Sequence, residues 1–429
     1  MSERYHQSEL LLERALRTIP LGSQTFSKSR TQYPFGVSPY FIDSGEGSHV
    51  RDVDGNEYLD FVMSLAAVTL GYKDPDVTAA VRSQLDNGVI FSLPHRLEME
   101  VAEKLAECVP CAEMTRFGKN GSDATAGAIR VARAHTGRER VAVCGYHGWQ
   151  DWYIGSTARH RGVPEAVRAL THNFPYNDAE ALDKLLAAHK DEFAAVILEP
   201  MNVAEPLPGY LEAVRDIAHR HGALLVFDET ITGFRYELGG AQARFGVTPD
   251  LATFGKGMAN GYPVSAVCGK AEYMQMMEEI FFSFTFGGEL LSLAAAKATL
   301  EKLQREPVIA TLQTRGARIK AGLQARVERH GIGEFASVAG DATWSFLLLR
   351  DTPRYSMWQI KTLFLQEMFA RGVLTLGTHN ISYAHSEADV DRLLAVYDEV
   401  LPILHSAVLD GKLETLLRCA PLEPLFKLR

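Results

Sequence analysis

Short apolar segments alternate with helical stretches from about residue 112 onward, and this alternation most constrains the fold. The apolar segments are Val141–Cys144, Ala194–Leu198, Ala223–Phe227 and Val264–Val267. The helical stretches between them include Asp123–His135, Asp178–His189 and Tyr210–His221. Strands buried on both faces read as short apolar runs, and helices connect them when they are parallel. The pattern therefore predicts an α/β chain with a mainly parallel sheet covered on both faces.

Both ends of the chain differ from this pattern. Near the N-terminus we predict a helix over residues 8–18, two strands joined at Asp54-Gly55, and helices Asp76–Leu85 and Arg96–Glu107. After Leu290 we predict one long helical stretch to about His330, then a smaller α+β unit. The N-terminal segment is too small for its own core. We therefore expect residues 1–70 and 306–429 to form a small domain, and residues 71–305 a large one.

Composition excludes several classes of protein. The net charge of −9 gives no support to nucleic-acid or anionic-membrane binding, and no apolar run is long enough to span a bilayer. The charged N-terminus lacks the features of a secretory signal. Five cysteines with one isolated C-x-x-C predict neither a disulfide framework nor a metal site, so we expect a cytoplasmic protein without bound metal.

A lysine and an aspartate suggest a cofactor. Asp228 follows the apolar segment Ala223–Phe227, and Lys256 lies between two glycines before the next strand. Lysine forms Schiff bases with carbonyl compounds, and pyridoxal phosphate (PLP) needs both a lysine and an acid that keeps its ring nitrogen protonated. The two residues are far enough apart for one crossover between neighbouring strands. The pair therefore indicates PLP held as a Schiff base on Lys256, although Asp228 alone could be a helix cap.

Two further segments fit the same cofactor. The turn that contains Gly121 and Ser122 opens a helix, and amides at a helix N-terminus together with a hydroxyl form a phosphate site. Tyr146 follows the strand that ends at Cys144 and could stack on a planar ring. Each segment also has an ordinary structural interpretation, as a helix cap and as a half-buried loop residue. Their order along the chain is more informative than either segment alone.

Longer motifs then show a resemblance to a known family. The chain resembles the class III aminotransferases of PLP fold type I, and within them the branch that contains glutamate-1-semialdehyde aminomutase. The matching stretches cover most of residues 40–300 and include RDVDGNEYLDF, FGKNGSDATAGAIRVARAHTGR, GYHGW, VILEPMN, ALLVFDETITGFR, ARFGVTPDLATFGKGMANGYPVSAVCG and SFTFGGE. The resemblance implies a large seven-stranded, mainly parallel sheet domain and a small α+β domain built from both termini.

The resemblance also implies roles for individual residues. Lys256 holds PLP and moves the proton, and Asp228 pairs with the ring nitrogen. The other implied cofactor contacts are Gly121, Ser122, Tyr146, His147, Glu199, Asn202 and, from the partner subunit, Thr285. The role of Thr285 implies a homodimer with shared active sites. The small-molecule partners are an amino donor, possibly glutamate, and a carbonyl acceptor, with pyridoxamine phosphate formed during turnover.

Departures from the aminomutase concern the substrate. Lys28 stands where the aminomutase has a carboxylate-binding arginine, Leu65 aligns with a tryptophan, and Gly377 with a glutamate. Thr230 replaces the usual valine after the ring aspartate. The polar residues Lys28, Thr230, His379 and Asn380 suit a hydroxylated or acidic substrate. Several segments resemble aminotransferases of surface-polysaccharide and secondary-metabolite pathways. The alternative for His379 and Asn380 is a pair that stabilises a loop.

Three functions remain open from the sequence. The first is an aminotransferase that acts on a sugar-like or other polar intermediate. The second is glutamate-1-semialdehyde 2,1-aminomutase, which moves an amino group within one substrate and needs no external donor. The third is a PLP-fold binding protein without enzyme activity. The presence of both Lys256 and Asp228 favours an enzyme over the third function.

Overall fold

This computed structural model describes residues 3–423. The chain divides into two compact units, and one of them is built around a seven-stranded sheet. The central unit comprises Pro75–Ile309, and among the described residues the terminal unit combines residues 3–74 with residues 310–423. Across the sheet, the strands follow the order Met114–Gly118, Ser265–Gly269, Leu251–Phe254, Leu224–Asp228, Phe193–Leu198, Arg140–Cys144 and Thr171–Asn173. Ser265–Gly269 runs antiparallel to both of its neighbours, and the other adjacent strands are parallel to each other. The predicted fold type is confirmed.

Alternate residues of the sheet pack on opposite faces, as strand geometry requires. On one face, Val141 and Val143 pack with Ala128 and Ile129 of the helix Gly121–Thr136. On the other face, Ala142 packs with residues of the helices Ala179–Ala188 and Tyr210–Arg220. The remaining helices of this unit are Pro75–Asn87, Arg96–Cys108, Asp151–Ile154, Glu165–Arg168, Gly240–Phe245, Ala271–Met274 and Leu290–Arg305.

The helical stretch after Leu290 is two helices, so the predicted single stretch was wrong. They are Leu290–Arg305 and Val308–Arg329. Glu306 between them is extended, with φ −114° and ψ 153°. Pro307 explains the break, because proline lacks a backbone donor and disfavours a helical conformation at the preceding residue.

The terminal unit contains two small sheets that are completed by residues distant in sequence. One sheet has the order Ile42–Glu46, His49–Asp52, Glu57–Asp60 and Val373–Leu374, and its last two strands are parallel. The other has the order Ala336–Asp341, Trp344–Leu349 and Thr378–Asn380. The right-handed α-helices of the terminal unit are His6–Ala15, Val308–Arg329, Met357–Ala370, Glu387–Val408 and Leu413–Leu416. The pairing of residues 57–60 with 373–374 shows why the N-terminal segment needs the C-terminal one.

In residues 3–423, no helix combines the length and the apolar character needed to cross a membrane. The same residues contain no group of three His, Cys, Asp or Glu side chains that could hold a metal ion.

Candidate functional site

A buried carboxylate lies at the carboxyl end of the strand Leu224–Asp228. Oδ2 of Asp228 accepts a hydrogen bond from Nδ1 of His147 at 2.9 Å, and Oδ1 accepts from Thr230 Oγ1 at 2.6 Å and Thr253 Oγ1 at 3.1 Å. Burial alone would raise the pKa of this carboxyl, but the hydrogen bonds from His147 and Thr230 bring it below its ordinary value. Asp228 is therefore held as an anion inside the protein.

Lys256 follows the neighbouring strand, Leu251–Phe254, and begins a short 3-10 helix. Its φ is 43°, a left-handed conformation that costs free energy for a residue with a side chain. Strain of this kind persists only where surrounding contacts hold it, and it is frequent at functional sites. The lysine is half-buried.

Thr230 joins three of the predicted segments. A Cβ built on Gly121 would lie 3.1 Å from Thr230 Cγ2, and one built on Gly255 would lie 3.6 Å from the same methyl group. The turn that opens the helix Gly121–Thr136 and the turn that carries Lys256 therefore both pack on Thr230, which bonds to Asp228. The hydroxyl predicted to contact substrate is engaged with this carboxylate.

The turn before Gly121 is a capped helix start. Asn120 Oδ1 accepts from Asp123 N at 3.1 Å, and Asp123 Oδ2 accepts from the backbone amides of Lys119 and Asn120 at 2.9 and 3.1 Å. The Lys119 ammonium donates to Oε2 of Glu289 at 2.9 Å. Its charge is thus paired with a carboxylate, so the phosphate site predicted here depends on the helix N-terminus and Ser122.

Ser122 binds a second segment through its hydroxyl oxygen. Trp149 N donates to Ser122 Oγ at 3.2 Å, which leaves the hydroxyl hydrogen able to donate elsewhere. A Cβ on Gly148, whose φ is 103°, would lie 2.2 Å from this oxygen. Gly148 is therefore required for the approach, and the segment that carries Tyr146 and His147 is fixed beside the helix start.

Glu199 organises the segment that carries Tyr146. Its Oε2 accepts from Tyr146 N at 2.9 Å and from Asn202 Nδ2 at 2.8 Å. Gly145 has φ 110°, and a Cβ there would lie 2.5 Å from the same oxygen. The Tyr146 ring packs edge-on against Tyr153, with ring centroids 5.7 Å apart. Three predicted cofactor residues therefore form one hydrogen-bonded group.

The residues predicted to bind substrate divide between the two units. Thr230 lies in the central unit, whereas Lys28, His379 and Asn380 lie in the terminal unit. Lys28 is exposed, and its Nζ lies 3.5 Å from Ser64 Oγ. Both residues line a cavity of about 500 Å³ within the terminal unit, together with Tyr33, Tyr40, Asp60, Leu65, Tyr72 and other side chains.

His379 and Asn380 lie inside the terminal unit. His379 is 1% exposed, and its ring nitrogens contact Ser345 Oγ at 3.0 Å and the Tyr397 hydroxyl at 2.7 Å. Asn380 is 4% exposed, and its Nδ2 donates to Val62 O at 2.7 Å. These contacts support the structural alternative that the sequence left open for this pair.

Residues Met63–Ala66 form a left-handed turn beside the cavity. Their φ angles are 42°, 50°, 61° and 66°. A left-handed helical conformation costs about 1–2 kcal/mol per residue, so this turn stores about 4–8 kcal/mol. Its N-terminal amides, Val62 N and Met63 N, donate to Asp60 Oδ1 at 2.7 and 3.0 Å. Nothing in the sequence pattern indicates this turn, which contains no glycine.

Thr285 lies in a turn and is exposed, as are Phe281 and Phe286 on either side.

Two residues of the site, Thr253 and Glu289, were not predicted from the sequence. Thr253 precedes Lys256 by three residues, and its alternation with Phe254 along a strand places the two side chains on opposite faces. Glu289 ends the quoted SFTFGGE motif, and only the fold brings it to Lys119.

The side chains of the central unit match the chemistry of PLP. A lysine amine can bind its aldehyde, a buried anion can pair with a protonated ring nitrogen, and a hydroxyl beside a helix N-terminus can bind its phosphate. Gly145 and Gly148 occupy positions that only glycine fits. The donor and acceptor set is thus consistent with the cofactor predicted from the sequence.

A family model described as Aminotransferase class-III matches residues 32–383. The chain belongs to this family. Class III aminotransferases are PLP-dependent enzymes, so the predicted family, enzyme class and cofactor are confirmed.

Individual relatives agree with this assignment. The chain is 38% identical to 3-aminobutyryl-CoA aminotransferase of Cloacimonas acidaminovorans, over 90% of this chain and 94% of the relative. It is 36% identical to glutamate-1-semialdehyde 2,1-aminomutase of Halorubrum lacusprofundi, over 92% and 100%. Among solved structures, the FumI protein of Sphingopyxis sp. MTA144, in its PLP internal aldimine form, is 30% identical with a TM-score of 0.86, over 96% of this chain and 100% of that one.

Proposed function

We propose that this aminotransferase uses Lys256 to bind PLP and to move the proton during transfer of an amino group from a donor to a carbonyl acceptor. The observation that carries this proposal is the convergence on Thr230 of the Asp228 carboxylate, the helix start at Gly121 and the turn of Lys256. When bound, PLP supplies an electron sink for the carbon that loses its proton.

The surrounding residues then have distinct roles. Asp228 holds a negative charge where the ring nitrogen binds, and His147 keeps that carboxylate ionised and oriented. Ser122 and the amides at Gly121 bind the phosphate. Tyr146 packs on the ring. Glu199 fixes Tyr146 through its backbone and Asn202 through its amide, so that Asn202 is positioned for the phenolic oxygen.

For the substrate, we propose a carbonyl compound with a polar or anionic group that Lys28 binds. The support is an exposed ammonium at the wall of a cavity that several tyrosine side chains also line. The relatives named for 3-aminobutyryl-CoA and glutamate-1-semialdehyde agree with such a substrate, because both names describe a polar compound that carries an amine and a carbonyl group, a thioester in the first and an aldehyde in the second. A sugar-like acceptor remains within this class.

Glutamate-1-semialdehyde 2,1-aminomutase is the second candidate, and the names of several curated relatives favour it. Lysine offers a compact charge, whereas the arginine of the aminomutase binds a carboxylate with two parallel hydrogen bonds. Lys28, Leu65 and Gly377 therefore favour the aminotransferase.

We also propose a homodimer in which Thr285 of one subunit reaches the phosphate site of the other. Exposed apolar side chains support this proposal, because large exposed apolar surfaces mark interaction sites. They include Phe91, Leu93, Phe281 and Phe286. Leu290 N donates to Val89 O at 2.9 Å, so the two segments that carry these side chains adjoin. We further propose a cytoplasmic location. All five cysteines are unpaired, which supports it because disulfides are rare in that compartment.

The experiment compares amino transfer with and without a donor. We expect the purified holoenzyme to pass the amino group of glutamate or alanine to oxo acids, and to need that donor. Lys256→Ala should lower the rate by at least about 10²-fold, the usual contribution of a catalytic acid–base group. Full activity of Lys256→Ala would overturn the role of the lysine. Rapid conversion of glutamate-1-semialdehyde without donor would instead establish the aminomutase.

A further inference from the structure

The left-handed turn Met63–Ala66 is held from its N-terminal side by a buried carboxylate. Asp60 accepts both turn amides through Oδ1, and its Oδ2 accepts from the Tyr72 hydroxyl at 2.7 Å. Asp60 is 2% exposed, and burial raises its pKa despite these hydrogen bonds. Both carboxylate oxygens are therefore committed to holding the chain, although Asp60 forms part of the cavity wall.

A second set of contacts holds the same segment from the strand Thr378–Asn380 and the loop after it. Asn380 Nδ2 donates to Val62 O, and Asn380 N donates to Phe61 O at 2.9 Å. Nε2 of His385 lies 3.0 Å from Asp60 O, and its ring stacks on Phe61 with centroids 4.4 Å apart. The backbone from Asp60 to Val62 is thus fixed by residues more than 300 positions away.

The turn places two side chains in the wall of the cavity. Ser64 Oγ lies beside the Lys28 ammonium, and Leu65 lines the same space. In a right-handed conformation, Ser64 and Leu65 would project differently from the backbone, and the pairing of Ser64 with Lys28 would be lost. The direction of these side chains therefore depends on the left-handed backbone.

We propose that Asp60, Tyr72 and Asn380 are positioning residues that determine substrate specificity. They hold the left-handed turn so that Ser64 and Lys28 together bind the anionic end of the substrate, a carboxylate or a group of similar size. The ammonium and the hydroxyl are both donors, which suits an anion and not a second amine. Asn380 acts through the backbone of Val62 and does not touch the substrate. The inference rests on the proposed function, because it assigns this cavity to the substrate.

The test measures binding of pentanoate and its neutral analogue pentanamide to the holoenzyme by calorimetry, which needs no turnover. We expect wild type to bind pentanoate at least about tenfold more tightly than pentanamide, the effect of one charge-assisted hydrogen bond. Tyr72→Phe should reduce this preference, and Asn380→Leu should abolish it. Tyr355→Phe is the matched control, because it removes a buried hydroxyl that bonds to Glu414 in the same unit, away from the turn.

A rescue variant separates positioning from general stability. Ala66 has φ 66°, and glycine there would adopt the left-handed conformation at no steric cost. Asn380→Leu combined with Ala66→Gly should therefore recover at least part of the preference for pentanoate. The inference would be overturned if wild type did not prefer pentanoate to pentanamide, or if Tyr72→Phe kept the wild-type preference. It would also be overturned if Ala66→Gly restored none of the preference that Asn380→Leu removes. An enzyme that prefers pentanoate but transfers no amino group would contradict the proposed function alone.

Discussion

The hydrogen bond between His147 and Asp228 gives the sharpest prediction. Burial alone would destabilise the ionised carboxyl, and the hydrogen bond from His147 is the strongest of the contacts that oppose this effect. His147→Ala removes a hydrogen bond to a charged group, which is worth about 1.5–3 kcal/mol. Because 1.36 kcal/mol is a factor of ten, the equilibrium between ionised and protonated Asp228 shifts about 10- to 150-fold toward the protonated form. The pKa of Asp228 therefore rises.

The sign of the pH effect follows from the direction of this shift. In wild type, the lowered pKa of Asp228 stabilises the fold above the ordinary pKa of an aspartate, and this contribution is lost as pH falls through the folded value. In His147→Ala, the hydrogen bonds from Thr230 and Thr253 offset the burial penalty only in part, so the ionised form is less stable in the folded protein at neutral pH than in wild type. We expect lower stability and an acid limb of kcat/KM that moves to higher pH.

The assay is the profile of kcat/KM between pH 5 and 9, with thermal unfolding measured on the same preparations. His147→Asn is the control, because its amide nitrogen can donate near the position of Nδ1 and should restore most of the wild-type profile. A folded His147→Ala enzyme that keeps the acid limb of wild type would contradict this role of His147, as would a His147→Asn enzyme that behaves like His147→Ala.

Three further predictions concern stability. Gly145→Ala should destabilise the protein by about 1–3 kcal/mol, because its Cβ would meet Glu199 Oε2 at 2.5 Å and its φ of 110° is strained for alanine; denaturant unfolding measures this, and an unchanged midpoint contradicts it. Lys119→Met should lower the free energy of unfolding by about 1–3 kcal/mol at pH 7, because Glu289 loses a hydrogen-bond partner that helps to lower its pKa. This loss of stability should shrink on acidification toward pH 4, as Glu289 becomes protonated in both proteins. Burial lowers the pKa of His379 to about 4, so the free energy of unfolding should fall by about 3 kcal/mol as the pH falls from 6.5 through 4. His379→Gln should make the free energy of unfolding, measured by urea titration, depend less on pH in this range.

Much of the proposed cofactor site could be predicted because its residues follow apolar strands in a parallel sheet. The carboxyl ends of such strands meet at one edge, so Asp228 and the segment of Lys256 become neighbours once the strands are identified. The strand edge does not specify side-chain direction. Thr230 was expected to face the substrate, yet its hydroxyl donates to Asp228, a local contact that depends on the turn geometry after the strand.

The terminal unit was less predictable, because its small sheets join distant parts of the chain. His379 and Asn380 are polar and follow a glycine, features that are common in exposed binding loops. Their burial arises because Asn380 pairs with Trp344 across a sheet and bonds to Val62 in another segment. Such non-local contacts leave no local pattern in the sequence.

The sequence by itself indicated the family through the resemblance of its longer motifs to class III aminotransferases. It also indicated the α/β sheet and the order of the proposed cofactor residues, because strand periodicity and the chemistry of lysine and aspartate are local properties. Only the tertiary structure decided which other groups contact Asp228 and which contacts hold the backbone beside the cavity. His147 reaches Asp228 across 81 residues, and a turn without glycine becomes left-handed between Asp60 and Asn380. Both outcomes depend on burial and on hydrogen bonds between distant segments, and these exist only after the chain has folded.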